Sequence, residues 1–168
     1  LIINLNALKM RKYYSFTIVF TLCLLAFSSL NAQSKADKII GTYEAISEET
    51  NNVSHIKIFK ASNGKYFGEI IWLKNAKEPD GKEKLDKKNP DEKLRSRKVL
   101  GLKMLNNFVY DASDNEWNGG TIYNPATGKT YNSYIKFDGP DKLHIRGYIG
   151  AAWMGLGKTV YWTRLKEK

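Results

Sequence analysis

The stretch SHIKIFKASNGKYFGEIIWL, residues 54–73, alternates apolar and polar side chains, turns at Ser62-Asn63-Gly64 and then alternates again. A period of two marks a strand with one buried face, and Asn followed by Gly accepts the positive φ of a tight hairpin. Within 54–61, Ile56 and Ile58 share one face while His55, Lys57 and Phe59 share the other. Within 65–73 the same alternation puts Phe67, Ile71 and Leu73 on one side and Tyr66, Ile70 and Trp72 on the other.

The rhythm extends in both directions. Further strands are expected over 39–47, 98–105, 117–123, 129–137, 143–149 and 158–165, with turns at Asn124-Pro125-Ala126-Thr127-Gly128 and Asp138-Gly139-Pro140-Asp141. About eight sequential antiparallel strands and no internal repeat describe a mainly β fold, a single up-and-down barrel, with a flat sandwich as the alternative. Closure removes the two unpaired edges of an open sheet. Gly68, Gly101, Gly119, Gly120 and Gly147 lie in or beside strands, where a missing side chain permits the coiling of a small barrel.

Residues 74–98 break the pattern with dense charge and with Pro79, Gly81 and Pro90. Asn89 before Pro90 has the chemistry of a helix start, so a short helix is expected over 90–97. A segment this long is either a lid or a solvated insertion.

Upstream, residues 10–32 read as a cleavable export signal. Arg11 and Lys12 form the basic leader, 16–27 the apolar run, and 28–32 the small, polar exit ending at Ala32. The run falls short of the ~20 residues a spanning helix needs, so no transmembrane segment is expected after cleavage; an uncleaved anchor is the alternative. Residues 1–9 precede the first methionine and read as upstream readthrough. The working domain is then 33–168, in the periplasm or outside the cell. Cys23, the one cysteine of the chain, leaves with the leader, which removes disulfides, thiolate nucleophiles and Cys-rich metal sites from the domain.

The formal net charge is +10, of which Lys9, Arg11 and Lys12 lie in the segment removed. A basic chain is drawn to anionic surfaces, and export makes nucleic acid an improbable partner, leaving an anionic envelope polymer or plain solubility.

Several motifs resemble an exported bacterial family, domain of unknown function 2147. They are Gly41-Thr42-Tyr43, Asp86 with Asn89-Pro90-Asp91 and Leu94-Arg95-Ser96-Arg97 ahead of Gly101-Leu102, and Trp117-Asn118-Gly119-Gly120-Thr121-Ile122-Tyr123-Asn124-Pro125 leading to Gly128-Lys129-Thr130-Tyr131. Residues 143–150 and Trp162-Thr163-Arg164 complete the likeness, which spans the mature chain and brings no activity with it. More loosely the chain is similar to calycins, the lipocalin-like barrels. That similarity implies an early strand capped by an arginine of the last one: Tyr43 and Arg164 would form a structural pair closing one end, with Tyr43 or Trp162 standing for the usual tryptophan.

Few residues offer chemistry. His55 and His144 are the only imidazoles and sit in no nucleophile turn; two histidines without cysteine make a poor transition-metal site, and no cofactor is expected. Residues 111–116 are oxygen-rich but read better as a solvated turn than as a calcium loop. Asp86, Asn89, Arg95 and Arg97 gather both charge signs beside the strand ends at Trp72 and Trp117. Arg95 either clamps an acidic ligand or pairs with Asp86 to pin the insertion. Trp72, Trp117, Tyr123, Tyr131 and Trp153 are the aromatic candidates for a ligand cavity, against the alternative of an ordinary β core.

Three functions remain open. The first is an exported barrel binding a small apolar or amphipathic, lipid-like molecule of the cell envelope. The second is an envelope structural or interaction protein with a packed barrel and a basic surface. The third is an envelope hydrolase using Asp86 or His144 as base.

Overall fold

The computed structural model describes residues 35–47, 51–151 and 154–166. The chain divides into two compact units, Leu1–Lys38 and Ile39–Lys168, and the expected export leader falls outside the described residues of the first. The second unit holds eight strands: β1 Gly41–Ile46, β2 Val53–Lys60, β3 Tyr66–Leu73, β4 Lys103–Asp111, β5 Glu116–Asn124, β6 Lys129–Phe137, β7 Lys142–Tyr148 and β8 Gly157–Arg164. Each pairs antiparallel with the next, and β8 returns to β1 with Tyr43 opposite Arg164 and Ala45 opposite Trp162, closing an up-and-down barrel. No edge between β1 and β8 is left to pair with another chain.

The hairpin of the opening stretch forms as its residues require. Ala61 and Lys65 bond across it at 2.9 Å, and Gly64 takes φ +78°. The inner faces supply the core, in which Tyr43, Ile56, Ile58, Phe108, Trp117 and Ile135 are nearly or wholly buried. Burial of side chains this size stabilises by about 1.5–3 kcal/mol each. Trp117 anchors the short-hairpin end, meeting Tyr66 and Phe137 edge-on at 6.4 and 5.7 Å. Gly120 lets the Phe108 ring lie on the β5 backbone, where a Cβ would sit 2.5 Å from ring carbons.

Three expectations need correction. The side-chain parity of β3 fails after Ile70, because β2 pairs His55 with Trp72 but Ile56 with Ile70, leaving Ile71 as a bulge. Leu73 therefore turns inward, while Trp72 turns to solvent and stacks on His55 at 4.3 Å.

The fourth strand is not 98–105 but Lys103–Asp111. Asn106-Asn107 looks like a turn but is a bulge within the strand: Asn107 takes φ +63°, and Leu105 and Phe108, three apart, are both buried. Asparagine tolerates that conformation, so its presence does not by itself end a strand.

The short helix expected in the insertion forms as a 3-10 turn over Glu92–Leu94 within 90–97, but its cap is Asp91, whose carboxylate accepts from the Lys93 N–H at 3.0 Å. Asn89 is not the cap. Its side-chain Oδ1 accepts from the Asp91 N–H at 2.9 Å and its Nδ2 turns inward to Asp86.

Alternation of strand direction puts the C-terminal ends of β1, β3, β5 and β7, with residues 74–102 and 125–128, at one end and the short hairpins at the other. The insertion folds through two isolated bridges, Lys77 with Glu83 and Leu85 with Lys98. It meets the barrel where the Lys88 carbonyl lies against Gly128, which takes φ +73° and has no room for a Cβ.

Candidate functional site

Asp86 is the most enclosed charged group among the described residues, with no exposed surface. Its Oδ1 accepts from the Tyr123 hydroxyl at 2.6 Å; its Oδ2 accepts from Asn89 Nδ2 at 2.8 Å and from Arg97 Nε at 2.9 Å, with Arg97 Nη2 2.8 Å away in the same ion pair. Asn89 Nδ2 also reaches the Tyr123 oxygen at 3.1 Å, and the Arg97 guanidinium lies 5.5 Å from the Tyr123 ring centre. Burial pushes the Tyr123 hydroxyl above its ordinary pKa and the Asp86 carboxylate beside it pushes it further, so it remains a donor.

Local folding explains the convergence. Asp86 N–H donates to the Arg97 carbonyl at 3.0 Å and Asn89 N–H to the Asp86 carbonyl at 3.0 Å, so the insertion doubles back on itself at this carboxylate. Ile122 faces the barrel interior opposite Leu105, which turns its neighbour Tyr123 outward to meet the insertion on the outer wall.

The candidate residues do not form one site. Asp86, Asn89, Arg97 and Tyr123 come together, whereas Arg95 stays exposed, its Nε on the Asn89 carbonyl and its Nη1 on Glu92, each at 2.8 Å. The arginine that pairs with Asp86 is Arg97, not Arg95. Trp117 belongs to the packed core, Trp72 to the outer surface, and Tyr131 to the inner wall, where it pairs with Ile122 and is half-buried. Trp153 lies outside the described residues. At the opposite end Arg164 covers Tyr43 at 4.7 Å and donates to the Ile40 carbonyl at 2.8 Å, while Tyr43 donates to the Ile39 carbonyl at 2.9 Å. Burial pushes the Tyr43 hydroxyl up to about 12, so this donor keeps its proton at any physiological pH.

Two concavities flank the insertion. One, of about 360 Å³, opens at the barrel mouth over Ile70, Leu73, Val99 and Met104, with Lys84, Lys87 and Lys88 at its border. Among the described residues neither Trp nor Tyr lines it, so Trp72, Trp117, Tyr123 and Tyr131 do not form here the aromatic cavity expected from composition. The other is an open groove of about 690 Å³ along the outer wall, between the insertion and β4–β6. Asn89, Arg97 and Tyr123, candidates from the sequence, line the groove; no candidate lines the mouth pocket, because Val99 to Leu102 looks like a strand but crosses the mouth as a turn, Gly101 N–H donating to the Ile70 carbonyl at 2.7 Å.

The Asp86 carboxylate with its asparagine, arginine and tyrosine partners falls wholly within a stretch, residues 41–164, that matches the model described as an uncharacterized protein conserved in bacteria, DUF2147. The chain belongs to the DUF2147 family. A solved structure similar to this DUF2147 chain is that of HP1028 from the human pathogen Helicobacter pylori, described as belonging to the lipocalin family. It aligns with a TM-score of 0.63 and 28% sequence identity over 77% of this chain and 84% of that one. The DUF2147 barrel is lipocalin-like. No curated protein matches it. Among the described residues no helix is long and apolar enough to cross a membrane.

The geometry of the Asp86 cluster bears on its use. Every oxygen of the carboxylate is occupied by protein donors and shielded from solvent, which leaves no face for a substrate proton. The arrangement suits a fastener: a charge withdrawn from water, compensated by Arg97 and satisfied by Asn89 and Tyr123.

Proposed function

We propose that this DUF2147 protein is an exported carrier that holds a small amphipathic molecule at the barrel mouth, beneath the insertion. The observation that carries the reading is the mouth pocket itself, whose volume of about 360 Å³ lies within the range of small-molecule sites. Ile70, Leu73, Val99 and Met104 offer a flexible apolar floor, and methionine adapts to irregular shapes. Lys87 is engaged by Glu78 at 3.1 Å, whereas Lys84 and Lys88 have no carboxylate partner among the described residues and suit an anionic head group. The lipocalin-like fold supports the same reading, as does the leader-like pattern of residues 10–32 for export.

Binding of a dansylated undecanoate by the purified chain, followed by fluorescence and by native mass spectrometry, tests it. Saturable binding that the double substitution Lys84→Glu, Lys88→Glu weakens about tenfold or more, with melting temperature retained, is the expected result. A chain that binds no probe and carries no co-purifying mass overturns it.

A further inference from the structure

We propose that the outer groove is a second binding site, distinct from the barrel mouth, for a small anionic saccharide: a sugar bearing a carboxylate or phosphate group. Arg97, Lys98 and Lys103 line it, and among the described residues no acidic one does. Arg97 is held along its Nε and Nη2 edge by Asp86, and its side chain is 39% exposed where it borders the groove. A guanidinium fixed in this way meets an anion without losing further rotamer freedom. Lys98 reaches Glu83 only at 3.6 Å, and Lys103 has no carboxylate partner among the described residues, its ammonium lying 5.8 Å from the Phe67 ring centre.

The rest of the lining has different chemistry. Thr121 and Asn106 pair across β4 and β5 on the outer face, and Thr130 stands opposite Tyr123 on β6. Hydroxyl and amide groups in a row offer the donors and acceptors that sugar hydroxyls need. Leu100 and Leu102 add an apolar base on which the C–H face of a pyranose can lie. Cations, neutral hydrogen-bonding groups and leucines lining one groove match an acidic sugar better than a bare anion or an alkyl chain.

Titration of the full chain with glucuronate, glucose 6-phosphate, glucose and inorganic phosphate, read by amide chemical shifts and calorimetry, tests the proposal. Glucuronate and glucose 6-phosphate are expected to bind near the millimolar range or tighter, with glucose and phosphate each about tenfold weaker. A preference between the two acids tells a carboxylate source from a phosphate source. Thr121→Val and Lys98→Gln, both outside the Asp86 cluster, are each expected to weaken binding about threefold to tenfold without lowering the melting temperature. Prior saturation with dansylated undecanoate should leave these affinities unchanged, which separates this site from the mouth. Absence of binding, equal affinity for phosphate and glucose 6-phosphate, shifts confined to the mouth, or variants that bind as the parent does would each overturn it.

Discussion

Arg97 Nη2 stands 2.8 Å from Asp86 Oδ2, and this pair joins the far end of the insertion to its middle directly over Tyr123 of β5. Arg95, two residues earlier, points away to Glu92 in the open. The two arginines are near neighbours in sequence and differ wholly in consequence, since one compensates a buried charge and the other decorates a surface.

Arg97→Ala leaves the Asp86 carboxylate buried without its cation and is expected to cost about 3–5 kcal/mol, whereas Arg95→Ala removes an exposed pair and a part-buried hydrogen bond to the Asn89 carbonyl and should cost about 1–2 kcal/mol. Asp86→Asn keeps the shape but strands a guanidinium that can partly rehydrate, for an intermediate loss of about 2–4 kcal/mol. Urea denaturation of the three variants measures the order. Equal losses for Arg95 and Arg97 would contradict the fastener assignment.

Gly128→Ala should loosen the insertion without unfolding the barrel. A Cβ at this position meets the Lys88 carbonyl, and the positive φ strains any L side chain further. Hydrogen exchange is expected to quicken over 84–99 and to stay unchanged in β7 and β8.

At the other end, Arg164→Ala removes the cation over Tyr43 and the donor to the Ile40 carbonyl, a loss of about 1–3 kcal/mol. Arg164→Lys should restore only part of it, because an ammonium cannot lie flat on the ring and also reach the carbonyl. Thermal melts of the two variants make the comparison.

His144 imposes a pH dependence. Its ring sits between Tyr134 and Tyr161, and burial lowers its pKa below the ordinary 6.5, with Lys136 and Arg146 adding repulsion and Asp138 opposing them. The unfolded chain therefore binds this proton more readily than the folded one. The contribution to stability is complete above pH 6.5 and declines as the pH falls through the folded value. Melting temperatures between about pH 7.5 and pH 5 should drop more for the parent than for His144→Gln.

Much of the fold is legible residue by residue. Ser62-Asn63-Gly64 marks its hairpin because only a few residue types accept the required φ, and Ile56 and Ile58 mark their buried face by period alone. Legibility stops at the bulges: one extra residue at Ile71 reverses the side of Trp72 and Leu73, and nothing local distinguishes a bulged β strand from a regular one. The Asp86 cluster was half legible. Its members are polar groups in an insertion, but Tyr123 is 37 positions from Asp86, and choosing Arg97 over Arg95 depends on where the chain doubles back.

Local chemistry thus determined the strands, the turns and their up-and-down order, because hydrophobic period and turn conformation are properties of a few consecutive residues. Only the tertiary structure decided which arginine is buried against Asp86, which way Trp72 faces, and where the mouth pocket and the outer groove open. Those outcomes depend on register and on contacts between segments far apart in the chain, which no short stretch of sequence contains.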